Sequence, residues 1–399
     1  MITLEQATET LLNEIRPITR TRLISLEKAI GRISVEDVHA PIDMPPFDRS
    51  PLDGYAQRAA DIAQASRDKP VKLKAAAEIP AGVFWDGTIS PGSTARIMTG
   101  SMIPKGADCV VKQEDTDDGE QEVCFYVSVK SQENICFKGE DIKKGTRILS
   151  CGSVVSYAHL AVLASVGHSR VLVRDRVKAG LLSTGDELTL LGEPLEQGKI
   201  YNSNLFMLAG RMENLGADVI SLYNAKDDVL EVCRIIEREI DGVDIFFTTG
   251  GVSVGRRDIM HAVLSRLGAT ILFWKISLKP GTPVLAAIYR EKLLLCLSGN
   301  PFAAMTNFEL LGRPSLHKLS GDLRLKLVRV KGIMDDAFSK RSPERRFVRA
   351  VYENGRVKIA PHSHSSGALL SLLGCNALID IEGGSPGLNP GDNVELVLL

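Results

Sequence analysis

The sequence predicts a multi-domain chain of class α/β plus β, in which a parallel-sheet α/β domain stands between two β-rich domains. Apolar strands alternate with helical patterns between residues 176 and 320. Short β-rich runs separated by Gly, Pro and Asp turns occupy residues 70 to 138, and the residues after 320 are again β-rich. A chain of 399 residues is long enough for several such domains.

The N-terminal part predicts helices that flank an inserted β domain. Thr3 and Gln6 have the spacing of a capping box. They are followed by apolar residues that share one helical face: Leu4, Ala7, Leu11 and Ile15. A second helix is predicted over residues 25 to 31, and the four prolines and the Asp-Gly of residues 41 to 56 predict an ordered loop.

A third helix is predicted in SYAHLAVLASVG, where Gly167 stands at the position that commonly ends a helix. Packing of this helix against the first helices makes residues 1–45 and 139–175 one interrupted domain. The β domain of residues 46–138 is then an insertion, with β-rich runs in VKLKAAA, TARIMTG, DCVVKQE and VCFYVSV.

The α/β domain is predicted over residues 176–320, because VKAGLLSTGDEL, DIFFTTGGVSVGRRD and KLLLCLSGNP are apolar strands that end in loops of small residues. Ligands of parallel sheets lie beyond the carboxyl ends of the strands. The three loops are therefore expected to converge on one crevice. Residues 321–399 predict a second β domain, with a hairpin turn at Asn354-Gly355 and a terminal strand in GDNVELVLL.

Composition excludes several classes of protein. The 48 Lys and Arg residues balance 49 Asp and Glu residues, so the chain lacks the basic excess of proteins that bind nucleic acid or anionic membranes. The acidic, amphipathic N-terminus is unlike a signal peptide, and no apolar stretch is long enough to span a bilayer. Seven cysteines without CxxC spacing disfavour disulfides and zinc, which predicts a cytoplasmic protein.

The segment TTGGVSVGRRD, residues 248 to 258, carries the most information about function. Its glycines let backbone N–H groups approach an anionic ligand, which predicts a phosphate-binding loop. Arg256 and Arg257 stand where a P-loop needs Lys and Ser or Thr, which argues against an ordinary ATPase. A tight strand-to-helix turn without a ligand is the alternative interpretation.

Two lysines follow in KISLKPGTPV. Strand spacing places Lys275 and Lys279 on one face, where two ammonium groups suit a phosphate or another oxyanion, although a solvated strand edge has the same pattern. SGNP, residues 298 to 301, opens a helix and offers free N–H groups to an anion. A capped helix with Asn300 as N-cap and Pro301 at its first position fits equally well.

Acidic residues recur in the loops, and any pair of them is able to hold a magnesium ion near phosphates, although each alone is also an ordinary turn residue. They are Asp53, Asp141, Glu187, Asp227 and Asp258. His362 and His364 form an HxH pair without a third ligand nearby, which indicates a solvated or structural role.

Together these segments resemble the molybdopterin molybdenumtransferases, relatives of the catalytic end of gephyrin. The resemblance covers the whole chain, and its segments follow in the family's order: PPFDRSPLDGYA, RIMTGSMIPKGADCVVKQED, GEDIKKGTRIL, LLSTGDEL, KIYNSN, TTGGVSVGRRD, KPGTPV and SGNPFAAMTNFELL. It implies an elongated subunit with an interrupted helical part, an inserted β domain, a molybdopterin-binding α/β domain and a C-terminal, barrel-like β domain.

The resemblance also implies the reaction and the assembly. Such enzymes take adenylated molybdopterin and molybdate, release AMP and leave molybdenum on the dithiolene sulfurs, with Mg²⁺ as the expected ion. They are homodimers whose active site is shared between the α/β domain of one subunit and the inserted β domain of the other. A molybdopterin adenylyltransferase and the downstream molybdoenzyme machinery are the further partners implied, without nucleic acid or membrane.

Site residues follow from the resemblance motif by motif. The implied catalytic residues are Asp53, Thr99, Asp141, Glu187, Asp227, Asp258, Lys275 and Lys279, of which Glu187 and Asp258 are the implied metal ligands. Residues implied to bind the molybdopterin substrate are Thr249, Gly250, Gly251, Ser253, Ser298, Gly299, Asn300 and Pro301, while Arg349 and Ser366 resemble residues that help to hold molybdate.

Two other functions remain compatible with the α/β domain. Molybdopterin adenylyltransferases carry a similar TTGG loop that ends in RD, but they lack the additional domains that hold Asp53, Thr99 and Asp141. A gephyrin-like scaffold that binds receptor tails would tolerate the loss of the acids and lysines that this chain retains.

Overall fold

A computed structural model of the chain describes residues 1–252 and 259–399. Its α-helices are α1 (Leu4–Glu14), α2 (Tyr157–Ser165), α3 (Ser203–Asn214), α4 (Val229–Glu239), α5 (Met260–Leu267), α6 (Pro301–Asn307) and α7 (Arg313–Ser320). A π-helical turn, Phe308–Gly312, joins the last two. The chain divides into two compact units, Leu23–Val173 and a second made of Met1–Arg22 with Arg174–Leu399.

The strands are, in chain order, β1 (Thr21–Ser25), β2 (Val38–His39), β3 (Gly54–Gln57), β4 (Val71–Ile79), β5 (Ser93–Ile97), β6 (Cys109–Lys112), β7 (Glu122–Phe125), β8 (Arg147–Leu149), β9 (Arg170–Arg174), β10 (Lys178–Thr184), β11 (Leu188–Thr189), β12 (Ile200–Tyr201), β13 (Asp218–Ala225), β14 (Ile245–Thr249), β15 (Thr270–Trp274), β16 (Leu278–Lys279), β17 (Leu285–Tyr289), β18 (Lys292–Leu297), β19 (Arg329–Met334), β20 (Arg345–Glu353), β21 (Arg356–Ile359), β22 (Ala377–Ile381) and β23 (Asn393–Leu398).

The first unit contains a sheet in the order β6-β3-β5-β4-β7 with a hydrophobic core on each face. Neighbouring side chains of one strand enter different cores, because successive residues of a strand point to opposite faces. Tyr55 packs with Val111 and Phe125 in one core, whereas Ala56 packs with Ile97 in the other. The β-rich pattern of this region therefore predicts its strands well.

The sequence predicts two helices in this first unit, and the structure confirms one of them. The helix predicted in residues 156–167 is confirmed as α2, with Ser156 and His159 forming a capping box and Gly167 at φ +87° just after its end. The helix predicted over residues 25–31 is wrong, since this segment forms only a single 3₁₀ turn, Leu26–Lys28. Gly31 at φ +74° turns the chain before a regular helix develops.

The second unit contains the α/β sheet in the order β13-β10-β14-β18-β17-β15. The pairs β10–β13, β10–β14 and β14–β18 are parallel, as the sequence predicts, and β17 and β15 continue the sheet in antiparallel fashion. Phe247 and Leu295 lie in one core and Phe246 and Leu294 in the other, so helices cover both faces. The predicted class, α/β plus β, is confirmed.

The C-terminal strands form the predicted barrel-like domain. The order β20-β21-β19-β23-β22 closes on itself, because β22 pairs with β20 as well as with β23. The hairpin predicted at Asn354-Gly355 is confirmed between β20 and β21, with both residues at positive φ, 49° and 81°. Positive φ at both turn residues gives the twist that joins two strands tightly.

Candidate active site

The three loops that the sequence predicts to converge do meet at the carboxyl ends of β10, β14 and β18. The backbone N–H of Gly250, just after β14, donates to the carbonyl of Leu297 at the end of β18 over 3.1 Å. The Thr249 hydroxyl donates to the carbonyl of Ser298 over 2.9 Å. These two hydrogen bonds tie the TTGG loop to the SGNP loop.

Gly250 is glycine because β10 and β14 approach each other closely at this point. A Cβ at Gly250 would collide with the carbonyl oxygen of Thr184, the last residue of β10, and the residue has a φ of +96°. Its N–H is already bonded to the neighbouring loop, so this donor is not available to an anion. Gly250 therefore shapes the crevice, and its predicted contact with the substrate remains a prediction.

The SGNP loop begins α6 as predicted, with Asn300 before the helix and Pro301 at its start. The Asn300 side chain, however, makes no capping hydrogen bond. Its backbone N–H donates instead to the Ser298 hydroxyl over 3.2 Å, and the N–H of Phe302 donates to the carbonyl of Ser366 over 2.9 Å. Part of the helix start is thus already satisfied within the chain.

Acidic side chains gather at the ends of β10 and β13. Asp227 is half-buried, whereas Asp186 and Glu187 are exposed. Burial raises the pKa of the Asp227 carboxyl, and the charges of Asp186 and Glu187 raise it further. The Thr184 hydroxyl offsets part of this rise in the pKa of Asp227. Thr184 Oγ1 nevertheless forms no hydrogen bond with a described residue.

These acids fit a divalent cation that also binds phosphate oxygens. Asp227 Oδ1 is buried and has no hydrogen-bond partner among the described residues. A cation beside it would satisfy this atom and offset the repulsion from Asp186 and Glu187. Within residues 1–252 and 259–399, no three His, Cys, Asp or Glu side chains form a complete metal site. Mg²⁺ needs only one or two protein carboxylates when substrate and water supply the rest.

The two lysines do not share a strand face, so that prediction is wrong. Lys275 lies before β16 at φ +67°, which breaks the alternation of side chains between it and Lys279. The ammonium of Lys275 rests 3.8 Å from the centre of the Trp274 ring. The ammonium of Lys279 forms an ion pair with Glu344 over 2.9 Å.

Lys279 lines a pocket of about 210 Å³ together with Lys340, Arg346, His364 and Ser366. Arg346 Nε is buried without a hydrogen-bond partner among the described residues. The pocket is thus lined by several cationic groups, one of which, Lys279, is bonded to the Glu344 carboxylate. Burial lowers the pKa of His364, whose Nε2 lies 2.7 Å from the carbonyl of Ala360, so this histidine has a structural contact.

Arg349 and Ser366 have different environments. The Arg349 side chain is fully buried and donates to the carbonyls of Ala368, Ser365 and Ser363, at 2.6, 2.9 and 3.3 Å. This guanidinium therefore holds the loop that presents Ser366 to the pocket. Direct binding of an oxyanion by Arg349 remains a prediction.

In the other unit, Asp53 and Thr99 come together as one polar pair. The backbone N–H and the hydroxyl of Thr99 both donate to Asp53 Oδ1, over 2.6 and 2.8 Å. Both side chains are exposed, and the two hydrogen bonds lower the pKa of the Asp53 carboxyl. The next residue, Gly54, allows β3 to lie close to β6, because a Cβ there would collide with the carbonyl of Val111.

Three other predicted site residues stay predictions. Asp141 is exposed, and its backbone N–H donates to the carbonyl of Met44 over 3.1 Å. Ser253 and Asp258 lie outside the residues that the structure describes.

Family models match the chain along nearly its whole length. The MoeA N-terminal region (domain I and II) matches residues 2–167, the probable molybdopterin binding domain matches residues 180–318, and the MoeA C-terminal region (domain IV) matches residues 331–399. A molybdopterin molybdenumtransferase of Staphylococcus aureus (strain COL) is 35% identical over 378 residues, which cover 94% of this chain and 90% of that protein. The chain belongs to the molybdopterin molybdenumtransferase family.

Further relatives and solved structures lead to the same family assignment. The enzyme of this name from Bacillus subtilis (strain 168) is 35% identical over 386 residues, covering 95% of this chain and 90% of the relative. The crystal structure of a molybdopterin biosynthesis MoeA protein from Pyrococcus horikoshii aligns with a TM-score of 0.84 at 29% identity, covering 100% of this chain and 99% of that one. The crystal structure of a molybdopterin biosynthesis MoeA protein from Pyrococcus horikoshii OT3 aligns with a TM-score of 0.80 at 31% identity, with both chains covered completely.

Two asparagines of the crevice, Asn202 and Asn204, are not predicted as site residues by the sequence. Both lie at the start of α3 and are more than nine-tenths buried. Asn202 Oδ1 accepts from the Ser183 hydroxyl and from the backbone N–H of Leu205, each over 3.2 Å. The available signal was the polar run in KIYNSN between a strand and a buried helix, where asparagine side chains are costly unless they are bonded.

No helix in the described part of the chain is long and apolar enough to cross a membrane.

Proposed function

We propose that this chain is a molybdopterin molybdenumtransferase that inserts the metal of molybdate into adenylated molybdopterin. In this reaction the phosphoanhydride is broken, AMP leaves, and molybdenum is bound by the dithiolene sulfurs. The observation that carries the proposal is the convergence of the TTGG and SGNP loops beside Asp227, whose buried oxygen lacks a partner among the described residues. The adenylyltransferase alternative gains no support, because the chain matches family models at both of its ends. The scaffold alternative gains none either, because the chain retains acids and lysines such as Asp227 and Lys279.

The acids at the ends of β10 and β13 would hold Mg²⁺ beside the phosphoanhydride. Glu187 and Asp227 are the described carboxylates of this group that the family resemblance assigns to catalysis, and Asp258 is a further proposed ligand. When bound, the ion would neutralise charge on the phosphate oxygens and make AMP a better leaving group. Asp227 would then remain ionised next to Asp186 and Glu187 because the cation offsets their repulsion.

Molybdate would bind in the pocket formed by Lys279, Lys340, Arg346 and Ser366. Ammonium and guanidinium groups attract a doubly charged oxyanion, and the Ser366 hydroxyl is able to donate a hydrogen bond to it. Glu344 holds Lys279 when the pocket contains no anion. Binding would require the ammonium to exchange this carboxylate for an oxygen of molybdate.

The assembly that we propose is a homodimer in the cytoplasm. Each active site would take Asp53, Thr99 and Asp141 from one subunit and the residues of the α/β domain from the other. The support is the resemblance of these motifs to the family, together with the way in which Thr99 holds the Asp53 carboxylate ready as an anion. A molybdopterin adenylyltransferase would supply the substrate, and molybdoenzymes would receive the product.

The test is the release of AMP by the purified chain. Adenylated molybdopterin with Mg²⁺ should yield AMP when molybdate is added, and AMP should stay at background without molybdate. Sulfate at the same concentration controls for a general effect of divalent oxyanions. Absence of molybdate-dependent AMP, with substrate binding shown independently, would contradict the proposed function.

A further inference from the structure

Asn204 lies at the junction of the TTGG and SGNP loops, at the carboxyl ends of the strands. Its side chain is buried, with an exposed fraction of only 7% for the residue. The amide nitrogen Nδ2 lies 3.0 Å from Thr249 Oγ1 and 2.8 Å from the carbonyl oxygen of Gly299. One asparagine thus bridges the TTGG and SGNP loops.

The hydrogen bonds around Asn204 fix which end of its amide is nitrogen. The Gly299 carbonyl is only an acceptor, so it must face an N–H group. Thr249 gives its hydroxyl hydrogen to the carbonyl of Ser298 over 2.9 Å, so it too can only accept from Asn204. Both amide hydrogens of Asn204 are therefore used, and a flipped amide would place its oxygen against two acceptors.

The carbonyl oxygen of the same amide has no such partner. Asn204 Oδ1 is buried and makes no hydrogen bond with any described residue. Asn202, two residues earlier on α3, is equally buried, but its Oδ1 accepts two hydrogen bonds within the chain. A buried carbonyl oxygen that is held rigidly and left unbonded is uncommon, because it loses its hydrogen bonds with water without replacement.

We infer that Asn204 is a specificity residue whose Oδ1 accepts a hydrogen bond from an N–H donor on the pyrimidine edge of the pterin. The inference rests on the proposed function for the kind of substrate that enters the crevice. A pterin carries such donors at its ring nitrogen and its amino group, whereas a phosphate or molybdate oxygen offers Oδ1 nothing to accept. Asn204 thus reads the heterocycle, while the acids and cations of the chain serve the phosphates and the oxyanion.

The bridge to both loops makes this recognition rigid. The two Nδ2 hydrogen bonds prevent the amide from rotating, so Oδ1 cannot turn to accept from a ligand that presents its donor elsewhere. A site that places a fixed buried acceptor discriminates against an analogue without the matching donor, since the acceptor then stays unpaired. The discrimination should be expressed in pterin affinity.

The experiment compares two probes on the full-length chain, pterin itself and a pterin whose pyrimidine N–H donors are blocked by methylation. Binding is followed by pterin fluorescence. The unmodified chain should bind pterin about tenfold more tightly than the blocked analogue, the usual worth of one buried hydrogen bond. In Asn204→Leu, which keeps the branched shape of the side chain but removes Oδ1 together with the two Nδ2 hydrogen bonds, the affinity ratio should fall to near one.

Asn202→Leu is the matched control. It removes a buried asparagine whose oxygen is satisfied within the chain, so it should lower thermal stability while leaving the ratio of the two pterin affinities at about tenfold. A ratio lost equally in both variants would show that Asn204 acts only by supporting the loops, and would overturn the inference.

Two other results would also overturn it. Equal affinity for the two pterins in the unmodified chain means that an ordered water alone fills the place of the donor, and this arm needs no variant to fold. Undetectable pterin binding has the same consequence. AMP release measured in parallel separates the two ideas: turnover without pterin discrimination removes the role of Asn204 and keeps the proposed function, whereas discrimination without turnover does the reverse.

Discussion

Asp53 and Asp227 are two candidate catalytic carboxylates in opposite electrostatic environments. Asp53 is exposed and accepts two hydrogen bonds from Thr99, which lower the pKa of its carboxyl. Asp227 is half-buried beside two other acids, its Oδ1 has no partner among the described residues, and its pKa is raised, chiefly by burial. The β domain therefore completes the environment of its carboxylate, and the α/β domain does not.

This difference indicates what each carboxylate needs before it is able to act. A carboxylate whose hydrogen bonds come from its own domain is fixed in position and charge without a ligand. A carboxylate that is partly buried among like charges ionises less readily than a free one, and a cation beside it would offset that cost. Asp227 would thus be the residue at which the proposed Mg²⁺ and the protein depend on each other, and perturbed carboxylates of this kind are typical of functional sites.

The largest expected effect is the loss of activity in Asp227→Asn. The amide cannot bind Mg²⁺ as a carboxylate does, so molybdate-dependent AMP release should fall on the order of 100-fold. The fold should be retained, since the substitution removes a charge that the structure leaves unbalanced. Asp218→Asn, at the start of the strand β13 that precedes Asp227, is the control, because Asp218 is exposed and forms an ion pair with the exposed Arg176. Near-normal turnover of Asp227→Asn would show that the reaction does not need the Asp227 carboxylate, and would contradict the role proposed for it.

The next prediction concerns Lys279, a cationic side chain that, like Asp53, already has a partner within the chain. Lys279 has Glu344 as its own counter-ion, but this pair must open if molybdate binds to the ammonium. Lys279→Ala should weaken molybdate binding, measured by calorimetry, by about 1.5 to 3 kcal/mol, the worth of a hydrogen bond to a charged group. Glu344→Gln is the matched variant, and it should tighten binding because it frees the lysine. Unchanged affinity in both would place the anion elsewhere.

The sequence predicts one half of the comparison better than the other. Periodicity indicated three strands of the parallel sheet, and the sequence placed Asp227 in a loop, but the strand before that loop, β13, was not predicted. Thr99, the hydrogen-bond partner of Asp53, was also predicted as a site residue, since both residues belong to motifs of the resemblance. The raised pKa of Asp227 was not, because it depends on how deeply one loop is buried against Asp186 and Glu187.

Two other features were hidden for the same physical reason. The role inferred for Asn204 depends on its hydrogen bonds with Thr249 and Gly299, which lie 45 and 95 positions away in the chain. The local sequence pattern carries no information about such contacts. Lys275 adopts φ +67°, which side chains other than glycine rarely do, so an argument from strand alternation placed it wrongly. The surrounding fold, rather than the propensity of the segment, sets that backbone conformation.

A smaller effect should follow from weakening the environment of Asp53 without removing the carboxylate. Thr99→Val deletes the hydroxyl that donates to Oδ1 but retains the backbone donor. Turnover should fall by about tenfold, which corresponds to one hydrogen bond to a charged group. Thr99→Ser restores the hydroxyl and should restore most of the rate. A Val variant as active as the unmodified chain would show that the preorganisation of Asp53 is irrelevant to the reaction.

Mixing variants tests whether the two carboxylates serve one site across a dimer. Asp53→Ala and Asp227→Ala should each be inactive alone. After dissociation and reassociation, random pairing makes about half of the dimers mixed, and each mixed dimer has one intact site of two under two-fold symmetry. Activity should recover to roughly a quarter of that of the unmodified chain. A mixture that stays inactive, with subunit exchange verified by a tag on one variant, would rule out the shared site.

The smallest effect concerns stability and its dependence on pH. The folded-state pKa of Asp227 lies above the ordinary value of 3.8, so the folded chain binds this proton more tightly than the unfolded chain does. Its stabilising contribution is full below pH 3.8 and is lost as the pH rises through the raised pKa. Asp227→Asn lacks this titration. Without divalent cations it should therefore match the unmodified chain in acid and exceed it by about 0.5 kcal/mol at neutral pH, measured by urea unfolding.

Asp53 should show the opposite sign, because its folded-state pKa is lowered. The stability that its ionised form contributes is present above the ordinary pKa of 3.8 and is lost as the pH falls through the lowered value. Asp53→Asn should therefore be less stable than the unmodified chain at neutral pH, and the difference should vanish in acid. Added Mg²⁺ separates the two cases again, since it should remove the advantage of Asp227→Asn and leave the deficit of Asp53→Asn unchanged. Parallel pH profiles for the two variants would mean that both carboxylates have the same environment, contrary to the contacts that distinguish them.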